Sequence, residues 1–214
     1  MKPASFLLSL FFTSLFLSSC ATKDTKHVLL VSVKDQEMAL YKKGKRVATY
    51  PVSTSKFGIG DRPGSNRTPI GEMEVARKIG GGQPQGMVFK GRRPTGEVLK
   101  PNAPGRDPIV TRILWLRGRE AKTRNAYSRY IYIHGTPEEN KIGRPASYGC
   151  IRMRSRDVAR LYNQVGVGAK VEVTPGHLPG PAVGAQMKSV ATAFGGAVYN
   201  VATLGAGMRH KSKS

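Results

Sequence analysis

Between positions 27 and 173 the chain repeatedly alternates apolar with polar residues, which is the pattern of strands that bury one face. The clearest example is Gly71–Ile79, where Met73 and Val75 alternate with glutamates. Successive side chains of a strand point to opposite faces of its sheet, so one face of this segment is apolar and the other is charged. The pattern predicts a strand here and a mainly β domain over residues 27–173.

Other apolar runs predict six further strands. Two of these runs are separated only by Lys42–Lys45, which predicts a β-hairpin. The 25 glycines and 14 prolines among 214 residues favour a turn-rich β protein over a helical bundle. The six predicted strands are Val28–Val33, Glu37–Tyr41, Arg46–Val52, Ile109–Leu116, Arg129–His134 and Lys170–Val173.

One segment follows helical spacing instead. Apolar residues at positions 158, 161, 162 and 165 recur at intervals that place them on one face of a helix. Ser155 precedes them as the predicted N-cap, and Gly166 follows them as the predicted C-terminal cap. The spacing therefore predicts one helix between these two residues.

The segment Gly80–Asp107 has no such periodicity and is rich in glycine and proline. It is longer than a connection between two strands requires. We therefore interpret it as a functional loop or lid.

The first twenty residues predict an export signal. A basic start is followed by an apolar stretch, Phe6–Leu17, that is too short to span a bilayer, which needs roughly 20 residues. The segment Leu17–Cys20 resembles the bacterial lipobox, which implies removal of residues 1–19 and lipidation of Cys20. Residues 20–26 then form a tether between the lipid and the domain. The alternative is an ordinary secreted protein with a cysteine at its cleavage site.

The lipobox resemblance predicts a lipoprotein of the cell envelope that faces the periplasm. Because Ala21 rather than an aspartate follows Cys20, the outer membrane is the expected location rather than the inner one. The chain has 35 basic and 13 acidic residues, a net charge of +22, which indicates an anionic environment. An exported lipoprotein without a nucleic-acid-binding motif does not meet nucleic acid, so the expected anions are cell-wall peptides and membrane phosphates.

Cys150 is the second of only two cysteines, and it has no disulfide partner if Cys20 carries a lipid. His134 lies at the end of a predicted strand sixteen residues earlier, and an imidazole is the usual activator of a nucleophilic thiol. The carbonyl of Gly135 is placed to hold that imidazole, and backbone N–H groups around Gly149 and Cys150 are candidates for an oxyanion hole. The alternative for Cys150 is a buried structural thiol. No pair of residues has the spacing of a zinc site, and the predicted chemistry needs no cofactor.

The segment 134–153, HGTPEENKIGRPASYGCIRM, resembles the active-site signature of the L,D-transpeptidase (YkuD) family. A second recurrent segment of the family is similar to Tyr50–Ser55 with Thr68–Gly71. The resemblance covers about residues 27–173 and implies a β-sandwich or barrel-like domain with one or two short helices. It implies Cys150 as the nucleophile and His134 as the base.

The same resemblance assigns further roles within the motif. The backbone carbonyl of Gly135 is implied as the third catalytic element, and Ser147, Gly149 and Arg152 map onto positions of the family motif. Tyr148 replaces the usual histidine, and we expect that change to alter substrate contacts more than activity. For Arg152 two roles stay open, a contact with a substrate carboxylate and a structural ion pair.

The resemblance also implies a reaction. Family enzymes cleave the bond before the terminal D-alanine of a peptidoglycan tetrapeptide stem and pass the acyl group through a cysteine thioester to the side-chain amine of another stem. Transfer to water would make the protein an L,D-carboxypeptidase, and a non-catalytic wall-binding lipoprotein on the same fold or a different Cys-His peptidase are further alternatives. Carbapenem-type inhibitors are expected to acylate Cys150.

The composition changes after residue 173. Residues 174–214 form a basic tail that contains glycine and proline and has no acidic residue. Seven apolar residues between Met187 and Met208 lie on one helical face, which predicts a helix over 182–208 only in contact with a membrane or with the domain. A partly disordered tail is the alternative.

Overall fold

The structure, a computed structural model, describes residues 22–180. The predicted signal peptide, the lipidation of Cys20 and the helical stripe of the tail lie outside these residues. Within them the chain forms ten strands, one α-helix and two 3-10 turns, Ala121–Thr123 and Glu139–Lys141. The elements are β1 (His27–Ser32), β2 (Glu37–Lys42), β3 (Lys45–Pro51), β4 (Gly71–Ile79), β5 (Met87–Lys90), β6 (Arg93–Val98), β7 (Ile109–Gly118), β8 (Tyr132–Gly135), β9 (Ile151–Met153), α1 (Ser155–Gln164) and β10 (Lys170–Thr174).

The ten strands belong to one mixed sheet. The strand order along most of the sheet is β3-β2-β1-β10-β4-β7-β5-β6. In addition, β8 pairs with β7, and β9 pairs with β8. Among the strand pairs of residues 22–180, only β1–β10 and β8–β9 are parallel. The mainly β fold with one helix that the sequence predicts is confirmed. Among residues 22–180, no helix is long and apolar enough to cross a membrane.

Two hydrophobic clusters lie on opposite faces of β7 and β8. Leu114, Leu116 and Ile133 face the larger one, the main core, against which α1 packs through Val158 and Leu161. The smaller one, the aromatic cluster, comprises Met87, Phe89, Ile113, Trp115 and Tyr132, with Ile79, Ile109, Tyr127 and Cys150 packed against it. Because side chains alternate along β7, this strand contributes residues to both clusters.

The interpretation of Gly80–Asp107 as an irregular loop is wrong in its middle part. This segment contains the β5–β6 hairpin, and β5 pairs with β7 at Val88↔Val110. Strand β6 is exposed along its whole length, so it carries no alternating pattern that the sequence could reveal. It also contains Pro94, which suits an edge strand because proline cannot donate a hydrogen bond to a further strand.

The ends of two predicted elements also differ from the structure. The predicted strand Arg129–His134 begins only at Tyr132, because Tyr130 has a positive φ of 57° within a turn. The N-cap of α1 is Arg154 rather than Ser155. The amide of Ser155 donates instead to a carboxylate oxygen of Glu139 at 2.8 Å, which satisfies one of the free donors at the helix N-terminus.

The C-terminal cap of α1 is Val165, in an extended conformation, rather than Gly166. The amide of Gly166 donates to a carboxylate oxygen of Asp24 at 2.6 Å. A Cβ at Gly166 would lie 2.8 Å from the Cβ of Asp24. Glycine is therefore required here because the N-terminal segment approaches closely, and not because the helix ends in a left-handed conformation.

Candidate active site

His134 is buried in β8, and its ring is held by the backbone. The Nδ1 atom lies 2.8 Å from the carbonyl oxygen of Gly135. Because a carbonyl can only accept a hydrogen bond, Nδ1 carries the proton and Nε2 is left as the basic nitrogen. The structure thus places the imidazole and the carbonyl together as the sequence predicts.

Gly135 allows this arrangement because it lies tightly against β7. A Cβ at this position would lie 2.7 Å from the carbonyl oxygen of Val110 and 3.1 Å from the Cβ of Thr111. Gly135 does not have a positive φ, so the requirement is one of space rather than of backbone conformation. A side chain here would push β8 away from β7 and displace the carbonyl that orients His134.

Cys150 immediately precedes β9, which pairs in parallel with β8. The register pairs Ile133 with Ile151 and His134 with Arg152. Ile133 and Ile151 both face the main core, so by alternation His134 and Cys150 face the other side of the sheet. The pairing of two short strands therefore brings together two residues that are sixteen positions apart in the sequence.

The thiol of Cys150 is held by the backbone of β8 and the turn before it. Its Sγ donates to the carbonyl oxygen of Tyr130 at 3.4 Å, and the backbone N–H of Tyr132 hydrogen-bonds to Sγ. Burial raises the pKa of the thiol to about 11. Cys150 is therefore a neutral thiol at neutral pH, and a base must take its proton before it can act as a nucleophile.

Burial lowers the pKa of His134 below its usual value near 6.5, and its hydrogen bond to Gly135 opposes this effect only in part. The imidazole is therefore neutral at pH 7 and can accept a proton. A neutral thiol and a neutral imidazole suit general-base catalysis rather than a resting ion pair.

The turn before Cys150 is fixed by its own hydrogen bonds. The hydroxyl of Ser147 donates to the carbonyl of Cys150 at 2.6 Å and accepts from the amide of Gly149 at 3.2 Å. Both residues are thus engaged within the turn, and their role in substrate binding or the oxyanion hole stays a prediction. The amide of Cys150 is left as the candidate oxyanion donor.

Thr68 contacts this turn from a distant segment of the chain, and the sequence assigns it no role of its own. Its hydroxyl donates to the carbonyl of Gly149 at 3.0 Å and accepts from the amide of Ser55 at 2.9 Å. The second resembling segment, Tyr50–Ser55 with Thr68–Gly71, therefore supports the backbone of the cysteine turn. Gly149 has a φ of 117°, which only glycine adopts easily.

Of the two roles left open for Arg152, the structure shows the ion pair. The side chain is 2% exposed, and its guanidinium pairs with Asp107 and, at 3.1 Å, with Glu138. Asp107 in turn accepts a hydrogen bond from the hydroxyl of Thr136. The partners of Arg152 come from distant parts of the chain, which is why the sequence motif alone does not show them.

Tyr148 lies on the surface beside the cysteine turn and is 61% exposed. Its hydroxyl lies 3.0 Å from Nζ of Lys56, and its ring centroid lies 5.5 Å from that of Phe57. Over residues 22–180, no group of three or more His, Cys, Asp or Glu side chains is arranged to hold a metal ion.

Comparisons with known proteins identify the same domain. The protein YkuD of Bacillus licheniformis is 27% identical over 147 residues, which cover 69% of this chain and 65% of YkuD. "Probable L,D-transpeptidase YbiS" of Escherichia coli strain K12 is 32% identical over 154 residues, which cover 70% of this chain and 45% of YbiS. The chain thus spans less than two thirds of the length of either relative.

Solved structures are similar at lower identity. L,D-transpeptidase 3 from Mycobacterium tuberculosis, in complex with a faropenem-derived adduct, is 20% identical in sequence and has a TM-score of 0.46. The aligned residues cover 70% of this chain and 60% of that structure. The L,D-transpeptidase LdtMt1 in complex with imipenem is 21% identical over 70% of this chain and 59% of its own, with a TM-score of 0.44.

The profile of the YkuD family, described as the L,D-transpeptidase catalytic domain, matches residues 26–173. The matched region contains β1 to β9, β10 except for its last residue, α1, His134 and Cys150. The chain belongs to the L,D-transpeptidase catalytic domain (YkuD) family.

Proposed function

We propose that the protein is a cysteine L,D-transpeptidase that joins tetrapeptide stems of peptidoglycan through a thioester on Cys150. The observation that carries this proposal is the parallel pairing of β8 with β9, which puts Cys150 and His134 on one face of the sheet. The hydrogen bond from Nδ1 of His134 to Gly135 supports it further, because it leaves Nε2 free to act as the base.

The first half-reaction forms the thioester. Nε2 of His134 takes the proton of the Cys150 thiol as Sγ attacks the carbonyl that precedes the terminal D-alanine. The amide of Cys150 stabilises the oxygen anion of the tetrahedral intermediate. His134 then gives its proton to the leaving amine, the C–N bond breaks, and D-alanine departs.

The second half-reaction repeats these steps with a new nucleophile. The side-chain amine of another stem attacks the thioester carbonyl and passes a proton to His134. The C–S bond breaks, the proton returns to sulfur, and a new amide links the two stems. If water attacks instead, the product is a tripeptide and the protein acts as an L,D-carboxypeptidase.

The experiment that tests this proposal is incubation of the purified protein with tetrapeptide-bearing muropeptides. Cross-linked dimers are expected from the wild type, and Cys150→Ser is the matched inactive control. Tripeptides alone would identify a carboxypeptidase, cuts elsewhere in the stem would identify another peptidase, and intact substrate would identify a wall-binding protein.

We further propose that a carbapenem acylates Cys150, because the chain belongs to a family for which this reaction is expected. The β-lactam ring opens as Sγ attacks its carbonyl, so the protein gains the full mass of the inhibitor. Mass spectrometry of a tryptic digest should place the added mass on the peptide that contains Cys150. Labelling elsewhere in the chain would contradict the proposal.

The proposed location is the periplasmic face of the outer membrane, through a lipid on Cys20. The support is the sequence alone, since Cys20 follows an apolar segment of signal-peptide length. Labelled fatty acid should enter the wild-type protein and not the Cys20→Ala variant. Equal labelling of both would remove the lipid anchor from the proposal.

A further inference from the structure

The β5–β6 hairpin ends in a two-residue turn with an unusual second residue. Gly91 and Arg92 have φ values of 57° and 67°, so both lie in the left-handed region. Hairpin turns of this kind favour glycine or asparagine at such positions, because a longer side chain is sterically strained there. The turn therefore keeps an arginine where the backbone favours glycine, and such strain is often found at functional sites.

The side chain of Arg92 lies back over aromatic rings. The guanidinium carbon is 4.9 Å from the ring centroid of Trp115 and 5.1 Å from that of Tyr130. A side-chain hydrogen bond with Tyr132 raises the pKa of Arg92 above its usual value. Arg93, the next residue, is exposed, whereas Arg92 is partly buried.

Two of these rings belong to the cluster that borders the thiol. Cys150 packs against the aromatic cluster that contains Trp115 and Tyr132, and its Sγ donates to the carbonyl of Tyr130. Arg92 therefore holds a positive charge against Trp115, a ring of the cluster on which Cys150 packs. The charge comes from a hairpin that lies on the opposite side of β8 from the cysteine turn.

Arg92 differs from the two other arginines near Cys150. Arg129 pairs with Asp61 at 3.0 Å, and Arg152 pairs with Asp107 and Glu138. Across residues 22–180, Arg92 forms no ion pair with an acidic side chain. Aromatic rings that stack on a guanidinium cover one of its faces and leave the N–H groups at its edge exposed. Two of these N–H groups can donate hydrogen bonds to the two oxygens of one carboxylate.

We infer that Arg92 binds a free carboxylate of the donor stem peptide beside the bond that is cleaved. This inference rests on the proposed function and names a substrate-binding residue for it. The carboxylate belongs either to the terminal D-alanine or to a residue before it, and the recognition chemistry is the same for both. The aromatic rings fix the guanidinium before substrate arrives, which lowers the entropy lost on binding.

A binding experiment that needs no turnover tests this inference. The full chain with Cys150→Ala is titrated calorimetrically with a synthetic tetrapeptide stem, and the same titration is repeated with Arg92→Ala or Arg93→Ala added. Loss of a bidentate, charge-assisted contact is expected to raise Kd about ten- to hundredfold in Arg92→Ala. Arg93→Ala removes the same charge from the same hairpin and should leave Kd within about twofold.

Two amidated peptides identify the source of the carboxylate. If Arg92 binds the terminal D-alanine, the effect of Arg92→Ala disappears with a peptide amidated at that residue. If it binds an earlier residue, the effect disappears only when the internal carboxylates are amidated. Arg92→Gly should behave as Arg92→Ala does, and because glycine fits the positive φ, this variant keeps the hairpin intact.

Three results would overturn the inference: no binding by the Cys150→Ala chain, equal Kd values for Arg92→Ala and Arg93→Ala, or an Arg92 effect that survives both amidations. Failure of the proposed function is a separate result, namely a wild-type protein that binds the stem and neither cleaves nor transfers it.

Discussion

The main core and the aromatic cluster lie on opposite faces of the same two strands, yet only one of them borders the candidate catalytic residues. The main core is mostly aliphatic, and nearly all of its members are fully buried. The aromatic cluster is smaller, reaches the surface through Tyr130, and packs against Cys150. One sheet thus separates the residues of the main core from those that pack against Cys150.

The difference is sharpest at two neighbours in β7. Leu114 is fully buried in the main core, while Trp115 stacks on Tyr127 at 4.1 Å and donates from Nε1 to the carbonyl of that residue. The first side chain contributes burial alone, and the second also fixes the rings beside Cys150. Stability and activity should therefore respond separately to substitutions at adjacent positions.

The largest effect is expected from the candidate catalytic residues. Cys150→Ser should lower kcat/KM at least about a thousandfold, because one imidazole deprotonates a hydroxyl far less readily than a thiol. His134→Ala should be comparably inactive. The exchange at Cys150 is nearly isosteric, so thermal unfolding should show a change in stability below about 1 kcal/mol. Activity near the wild-type level in either variant would refute the mechanism.

The next largest effect contrasts the two clusters. Leu114→Ala should lower the free energy of unfolding by about 3 kcal/mol, through lost burial and the cavity left behind. The kcat/KM of the folded fraction should change less than about threefold. Denaturant unfolding and kinetics on the same sample measure both quantities.

Trp115→Leu should reverse this pattern. It removes the ring beneath Arg92 and the hydrogen bond to Tyr127, so KM should rise about tenfold, while the free energy of unfolding should fall by about 1–2 kcal/mol. If both variants lost stability and activity in the same ratio, the two clusters would not be separate functional units.

A moderate effect is expected from pH. Because burial lowers the pKa of His134 and raises that of Cys150 to about 11, both groups stay neutral from pH 6.5 up to about 10. The rate should be level over this range and fall about tenfold per unit only below pH 6.5, as His134 takes up a proton. A pH profile of kcat/KM checks this, and an acid limb that begins above pH 6.5 would contradict it.

The smallest effect is expected at Tyr148. Tyr148→His restores the residue usual in the family at an exposed position, so stability should change by less than about 0.5 kcal/mol. The lost contact with Lys56 should change KM by no more than about threefold, with kcat unchanged. Lys56→Ala serves as the matched control, since it removes the same contact from the other side.

The sequence predicts the elements whose burial follows a simple period. Strand β4 has the predicted bounds, because it buries every second residue from Gly71 to Val75. Strand β6 could not be predicted in this way, since all six of its residues are exposed and its position depends on pairing with β5. Strand β9 has three residues, too few to show any period.

For the candidate site, the motif predicts which residues form the site but not the distant residues that position them. His134 is hydrogen-bonded to Gly135 and faces the same side of the sheet as Cys150, because the motif is local to β8, β9 and the segment that connects them. The ion pair of Arg152 with Asp107 spans 45 positions, and the support of the cysteine turn by Thr68 spans 81. Contacts of this range depend on the sheet topology, which no short segment encodes.

At Arg92 a left-handed backbone, which costs stability, is combined with a side chain that contacts two aromatic rings. Glycine at this position would relieve a steric cost of about 1 kcal/mol. It would also remove the contacts of the guanidinium with Trp115 and Tyr130, each worth about 0.5–1 kcal/mol, so a laboratory selection for thermal tolerance alone should not favour Arg92→Gly. Such a protein would melt at about the same temperature and, under the inferred role of Arg92, would bind a stem peptide more weakly. Any programme that stabilises this domain for structural or inhibitor studies should therefore leave the tip of this hairpin unchanged.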